Sequence, residues 1–135
     1  MLGDQIASAW PVPLLHAGWL LISVGAGLIL ASAWALFTRG GRIGLPFDPP
    51  RALVVSGPYG WVRNPIYLGA FVELLGVALV LEWPAGLLVA VAFLLLAHAY
   101  VVFREEPEVE RRFGQSYVEY RRAVPRWLPR RPGRK

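Results

Sequence analysis

The sequence predicts an all-α fold: a polytopic membrane helical bundle with three transmembrane helices and an amphipathic C-terminal helix. Three observations predict it. First, the 135-residue chain is 56% hydrophobic and only 17% charged, with a mean hydropathy of +0.45; ordinary soluble domains are ~45–50% apolar and ~25% charged. Second, the apolar residues gather into three long, almost uncharged stretches. Third, the charge is segregated: all fourteen basic residues lie at or after Arg39, giving a net charge of +5 and a pI of about 10.2. A length of 135 fits one domain, residues 1–135, and excludes a long multi-domain enzyme. Cysteine is absent, which removes disulfides, thiolate metal sites and thiol nucleophiles.

The first stretch, 14–37, contains no charge, and its only titratable group is His16. Its 24 residues make a rod of about 36 Å, enough for a hydrocarbon core of about 30 Å. Ala31-Ser32-Ala33 resembles a signal-peptidase site, but Asp4 and the lack of any preceding Lys or Arg argue against a secretory signal. The second stretch, 66–81, carries one charge, Glu73. It is short for a span and becomes adequate with Tyr67 and Trp83 as interfacial anchors. The third, 85–103, has only His98 ionisable. The link Glu82-Trp83-Pro84 makes the last two an antiparallel hairpin, with Pro84 opening the second arm. A carboxylate inside a span needs a partner, and similar depths in this hairpin pair Glu73 with His98. Gly18, Gly25 and Gly27 are read as positions of close helix approach.

Lys and Arg placement sets the orientation. The loop 38–64 holds Arg39, Arg42, Arg51 and Arg63 against Asp48, and the tail 104–135 holds ten basic residues against five Glu. Positive segments stay inside, so loop and tail are expected in the cytoplasm, with the N-terminus outside and the chain in the cell (inner) membrane.

The loop is punctuated by Gly40-Gly41, Gly44, Pro46, Pro49-Pro50 and Gly57-Pro58, and reads as irregular, with a turn at Gly57-Pro58-Tyr59-Gly60. Pro65 then fits the first helical position with Asn64 as its N-cap. Arg63 and Asn64 therefore stand at a helix N-terminus, an end suited to an anionic group. In the tail, Pro107 is expected to break the third helix just after Glu105 and Glu106, and to start a new one. Over 108–122 the stripe Phe113, Tyr117, Tyr120, Val124 predicts an amphipathic helix lying on the membrane surface or against the hairpin. Arg111, Arg112, Arg130, Arg131, Arg134 and Lys135 read as solvated or as lipid-headgroup contacts. No helix-turn-helix or aromatic-and-basic sheet motif accompanies them, so nucleic acid is not an expected partner.

Two runs carry a family resemblance. Gly57-Pro58-Tyr59 … Val62-Arg63-Asn64-Pro65-Ile66-Tyr67-Leu68-Gly69 resembles the "GPY…VRHPxYxG" signature of the isoprenylcysteine carboxyl methyltransferase and phospholipid methyltransferase group of integral-membrane enzymes. Glu105-Glu106-Pro107 … Arg112-Phe113-Gly114 … Tyr117 … Tyr120-Arg121 … Val124-Pro125-Arg126 resembles the "EE…L…FG..Y..Y…VPR" ending of that group. Together they cover roughly residues 39–130. The sequence departs from the pattern where Asn64 replaces the usual His, Pro107 follows the Glu pair, and Val109 replaces a customary Leu. Many relatives carry a further N-terminal hydrophobic segment, so the bundle is expected to be minimal or completed by a second copy, a homo-oligomer.

The resemblance implies S-adenosyl-L-methionine as methyl donor and a lipophilic or membrane-associated acceptor whose reacting group, carboxylate, amine, thiol or hydroxyl, stays open. It implies a donor site of Arg63, Asn64, Pro65, Tyr67, Glu105 and Glu106, with Arg63, Glu105 and Tyr67 catalytic. Arg63 and the helix N-terminus match the donor's carboxylate. Glu105 and Glu106 match its ammonium and ribose hydroxyls, and Tyr67 its adenine or sulfonium. A Glu of the pair is the natural base for an amine or hydroxyl acceptor. Taken alone, Arg63 would read as a positive-inside anchor and the Glu pair as surface acids beside Arg104. Two other classes stand beside this reading: an NADPH-dependent membrane lipid reductase, which shares an RHPxY-like element, and a non-catalytic membrane subunit.

Overall fold

The computed structural model describes residues 10–41 and 51–132. Expectations that fall on residues 1–9, 42–50 and 133–135 lie outside them. All regular structure among the described residues is helical. Helix α1 spans Val12–Ala35 and runs into a π-turn at Leu36–Gly40. A 3₁₀ turn, Gly57–Gly60, follows at the expected Gly-Pro-Tyr-Gly. Helix α2 is Pro65–Val80 and α3 is Pro84–Tyr100, extended by a π-turn at Val101–Glu105. Helices α4, Glu106–Phe113, and α5, Gln115–Ala123, complete the order.

Among the described residues two helices, rather than the expected three, are long and apolar enough to cross a membrane: Val12–Gly40 and Pro84–Phe113. Only 22% of each apolar window is buried within the protein. Leu30, Leu88 and Leu96 are each at least 70% exposed on the outer faces, as apolar solvent requires and a soluble core does not. Helix α2 is the shorter apolar helix. Pro65 fixes its first turn, and Glu82 takes a left-handed backbone (φ 51°) immediately after its last. It therefore stays at 16 residues, about 24 Å. The Glu82 carboxylate, at this hairpin tip, accepts the Trp10 N–H at 2.8 Å.

Helices α1 and α2 pack backbone to backbone. A Cβ on Gly25 would lie 2.5 Å from the Gly69 carbonyl oxygen, and one on Gly76 would lie 2.5 Å from that of Gly18. Two glycine pairs, seven residues apart on each helix, thus set the approach. Gly18 and Gly25 act as expected, whereas Gly27 faces open space. Glu73 sits beside Gly25, its Cβ and backbone N forming part of that close contact. The expected Glu73–His98 pairing does not form. His98 instead accepts a hydrogen bond from Trp127 Nε1 through Nδ1 at 2.9 Å, a tail contact that helix depth alone cannot reveal.

Pro107 does not break the third helix. The π-turn before it lets the Glu106 N–H reach the Val101 carbonyl five residues back, so the helix absorbs a residue that lacks an N–H and continues to Phe113. The break comes at Gly114, whose φ of 59° and ψ of −129° are open to glycine. The expected single helix over 108–122 is therefore two. The apolar stripe is as expected, and it packs on the loop before α2 and on the extension of the third helix. Tyr117, Tyr120 and Val124 are buried together, with Leu53, Tyr59, Val109 and Phe113 packed around them, and the Tyr120 hydroxyl donates to the Tyr59 carbonyl at 2.7 Å.

Candidate functional site

The tight hairpin brings the start of α2 beside the end of α3. Residues about forty apart in sequence meet there, and four of the six expected site residues bond to one another. The Tyr67 hydroxyl donates to Glu105 Oε1. Arg63 Nη1 donates to Glu106 Oε2 at 3.1 Å and contacts the Tyr117 hydroxyl at 3.3 Å. Both side chains of the Arg63–Glu106 pair are nearly buried, at 9% and 12% exposure. Pro65 opens α2 and is buried. Asn64 stands at the N-cap but makes no side-chain cap bond; its Nδ2 donates to the Arg126 carbonyl at 3.4 Å. The C-terminal segment, rather than the start of the helix, engages that side chain.

Two participants were not assigned a role from the sequence. Arg126 grips Glu106 bidentately, Nε to Oε2 at 2.8 Å and Nη2 to Oε1 at 3.0 Å. Tyr117 supplies the hydroxyl beside Arg63. The available signal was the Val124-Pro125-Arg126 ending, which put an arginine in the motif without saying what it meets.

The electrostatics follow from this set. Arg63 and Arg126 share the single carboxylate of Glu106, so this triad, Glu105 aside, holds one surplus positive charge. The Nε of Arg63 is buried with no hydrogen-bond partner among the described residues. A buried orphan donor is costly, and a ligand carboxylate would satisfy it. Arg126 is held even more firmly protonated by its bonds to Glu106.

Glu105 differs from its neighbour. Burial pushes its carboxyl above the ordinary value; the Tyr67 hydrogen bond pulls the other way, and the Glu106 charge adds to the rise. Such a group is a stronger base when ionised. It also opposes folding when ionised: its contribution is fully present below the unfolded value of 4.5 and is lost as pH rises through the higher folded value. Glu105→Gln, which keeps an acceptor for Tyr67 and cannot ionise, is expected to unfold at a higher temperature than the unchanged protein at neutral pH. The difference should close near pH 4 in detergent thermal scans. A lower unfolding temperature at neutral pH with no closing would contradict this placement of Glu105.

Fold and cluster together define a class: an apolar helical bundle of membrane type with a carboxylate held between two arginines and a half-buried acid–tyrosine pair at one end. The family model for phospholipid methyltransferase matches residues 14–116. The chain is 32% identical over 133 residues to human protein-S-isoprenylcysteine O-methyltransferase, covering 89% of this chain and 44% of that protein. It is 34% identical over 77 residues to the Schizosaccharomyces pombe protein of the same name, covering 57% and 33%. It is 29% identical over 105 residues to phosphatidylethanolamine N-methyltransferase of Pyrenophora tritici-repentis, covering 71% and 12%. No solved structure matches it. The chain belongs to the phospholipid methyltransferase family, and it spans less than half the length of these curated relatives.

Proposed function

We propose that this chain is a membrane methyltransferase that binds S-adenosyl-L-methionine at the Arg63–Glu106 cluster and methylates a lipophilic acceptor. The observation that carries the reading is the orphan Nε of Arg63 at the start of α2, beside a carboxylate that can receive a cation. That donor and acceptor set fits the carboxylate and ammonium of an α-amino acid, the polar end of this methyl donor. The donor, when bound, supplies an electrophilic methyl group on a sulfonium.

The protein's own residues would do the rest. Arg63 binds and orients the carboxylate, helped by the N-terminus of α2. Asn64 and Pro65 shape that turn. Glu106 receives the ammonium. Glu105, with its raised proton affinity and its bond to Tyr67, takes a proton from an amine or hydroxyl acceptor; a carboxylate acceptor needs no base. Alignment of donor and acceptor, with water excluded, supplies the larger part of the acceleration. The cluster faces the cytoplasm by the distribution of Lys and Arg, and the acceptor arrives sideways from the bilayer along the exposed apolar helices. The relatives' printed names, an isoprenylcysteine and a phosphatidylethanolamine methyltransferase, support a lipid-linked acceptor.

Titration of detergent-purified protein with S-adenosylmethionine and, separately, with NADPH tests the assignment. Saturable binding of the first alone is the expected result. Binding of NADPH alone would transfer the site to a reductase, and binding of neither would make the chain a non-catalytic subunit.

A further inference from the structure

The segment after α5 crosses the site as a strap. The Arg63 N–H donates to the Pro125 carbonyl at 2.8 Å, and the Arg130 N–H donates to the Trp61 carbonyl at 3.0 Å. Asn64 Nδ2 donates to the Arg126 carbonyl, and Trp127 Nε1 to His98. The Arg126 guanidinium closes on Glu106. Val124, at the root, is buried, but Leu128 is 81% exposed. Polar bonds, rather than apolar burial, hold the strap down, and segments of that kind open locally at small free-energy cost.

Among the described residues, all three side-chain hydrogen bonds to Glu106 come from guanidinium groups, and Arg126 supplies two of them. The triad Arg63–Glu106–Arg126 therefore makes internally the contacts that a zwitterion would make with Arg63 and Glu106. We propose that Arg126 is a placeholder: in the ligand-free protein it occupies the position at Glu106 that the donor's ammonium takes, so that donor binding displaces it and lifts the strap. This rests on the assignment of the donor's amino-acid end to Arg63 and Glu106. The exchange keeps charges balanced, because an ammonium arrives where a guanidinium leaves. Arg63 remains in place, and its Nε gains the carboxylate.

Arg63 and Arg126 bind the same carboxylate, yet their replacement should move donor affinity in opposite directions. If the open strap is populated at roughly a tenth, Arg126→Gln should tighten S-adenosylmethionine binding about tenfold. Arg126→Lys should fall between. Trp127→Phe frees the strap from His98 without touching the charged cluster, and should tighten binding by about threefold, the worth of one modest hydrogen bond. It also keeps the test open should Arg126→Gln fold poorly. Amide hydrogen exchange at Arg130, and at Arg63, supplies a readout independent of activity. Exchange at Arg130 should quicken in both variants, and in the unchanged protein at saturating S-adenosylmethionine. Weaker donor binding in Arg126→Gln would make Arg126 a ligand contact and overturn the placeholder. Faster exchange with no gain in affinity would overturn it while leaving the donor assignment standing. Absence of S-adenosylmethionine binding in every form would remove the donor assignment, and the placeholder with it.

Discussion

Gly25→Val is expected to abolish the folded state, with loss of monodisperse protein in detergent and of any cooperative thermal transition. A Cβ at this position would lie 2.5 Å from the Gly69 carbonyl oxygen and 2.8 Å from the Glu73 backbone nitrogen. Both are backbone atoms of a regular helix, so neither can swing aside as the end of a side chain would. Relief requires α1 and α2 to separate. The Gly18–Gly76 contact, two turns away and equally close, must open with it. Overpacking in a tight core costs about 1–3 kcal/mol even where side chains can shift. Here the obstacle is main chain at two points, and the cost should pass about 3 kcal/mol, a large part of the ~5–15 kcal/mol that holds a typical domain. Gly27→Ala is the matched control. A Cβ there meets nothing within 4 Å, and removing a mid-helix glycine gains up to about 1 kcal/mol of helix propensity. The two variants should therefore move stability in opposite directions. A Gly25→Val protein that unfolds like the unchanged chain would mean that the two helices do not meet through glycine.

That contact marks where sequence reasoning stops. Hydropathy and proline placement located the helices, because Pro65 and Pro84 open theirs and the link between α2 and α3 is too short for anything but a hairpin. From the hairpin alone it follows that Arg63 and Tyr67 must approach Glu105 and Glu106, and they do. Local signals failed where a distant partner decides the outcome. The length of α2 is read correctly from the sequence, but the aromatic anchors Tyr67 and Trp83 do not make it a span, because Pro65 and the left-handed Glu82 confine it. Pro107 was expected to break a helix, since nothing nearby announces the π-turn that accommodates it. Glu73 and His98 lie at similar depth, but depth does not fix rotation about a helix axis, and the tail had already claimed His98. Asn64 has the chemistry of a cap and is used to hold the strap. The triad at Glu106 was half legible: the motif contained Arg126, but only the course of the chain after Gly114 carries it across to Glu106.

Replacing Arg63 by alanine should weaken S-adenosylmethionine binding by about 1.5–3 kcal/mol, the range for a hydrogen bond to a charged group, while leaving the protein folded. The second half of that statement comes from the triad. Removing one member of a buried ion pair ordinarily costs about 3–5 kcal/mol because the other charge is stranded. Glu106 is not stranded in Arg63→Ala, since Arg126 still holds both of its oxygens, at 2.8 and 3.0 Å. The orphan Nε of Arg63 disappears as well, which offsets part of the loss. Glu106→Ala is the harsher change. It leaves two guanidinium groups facing each other, one of them 9% exposed, and removes the acceptor for the donor's ammonium at the same time. Its stability cost should lie toward the lower end of that 3–5 kcal/mol range, because Arg126, 31% exposed, can turn to water. Calorimetric titration with S-adenosylmethionine and thermal unfolding in the same detergent separate the two effects. The expected pattern is weak binding with near-normal stability for Arg63→Ala, and weak binding with lowered stability for Glu106→Ala. Arg131→Ala, at an exposed position outside the cluster, should match the unchanged protein in both. Normal affinity in a folded Arg63→Ala protein would place the donor elsewhere and remove the chemical basis for methyl transfer at this end of the bundle.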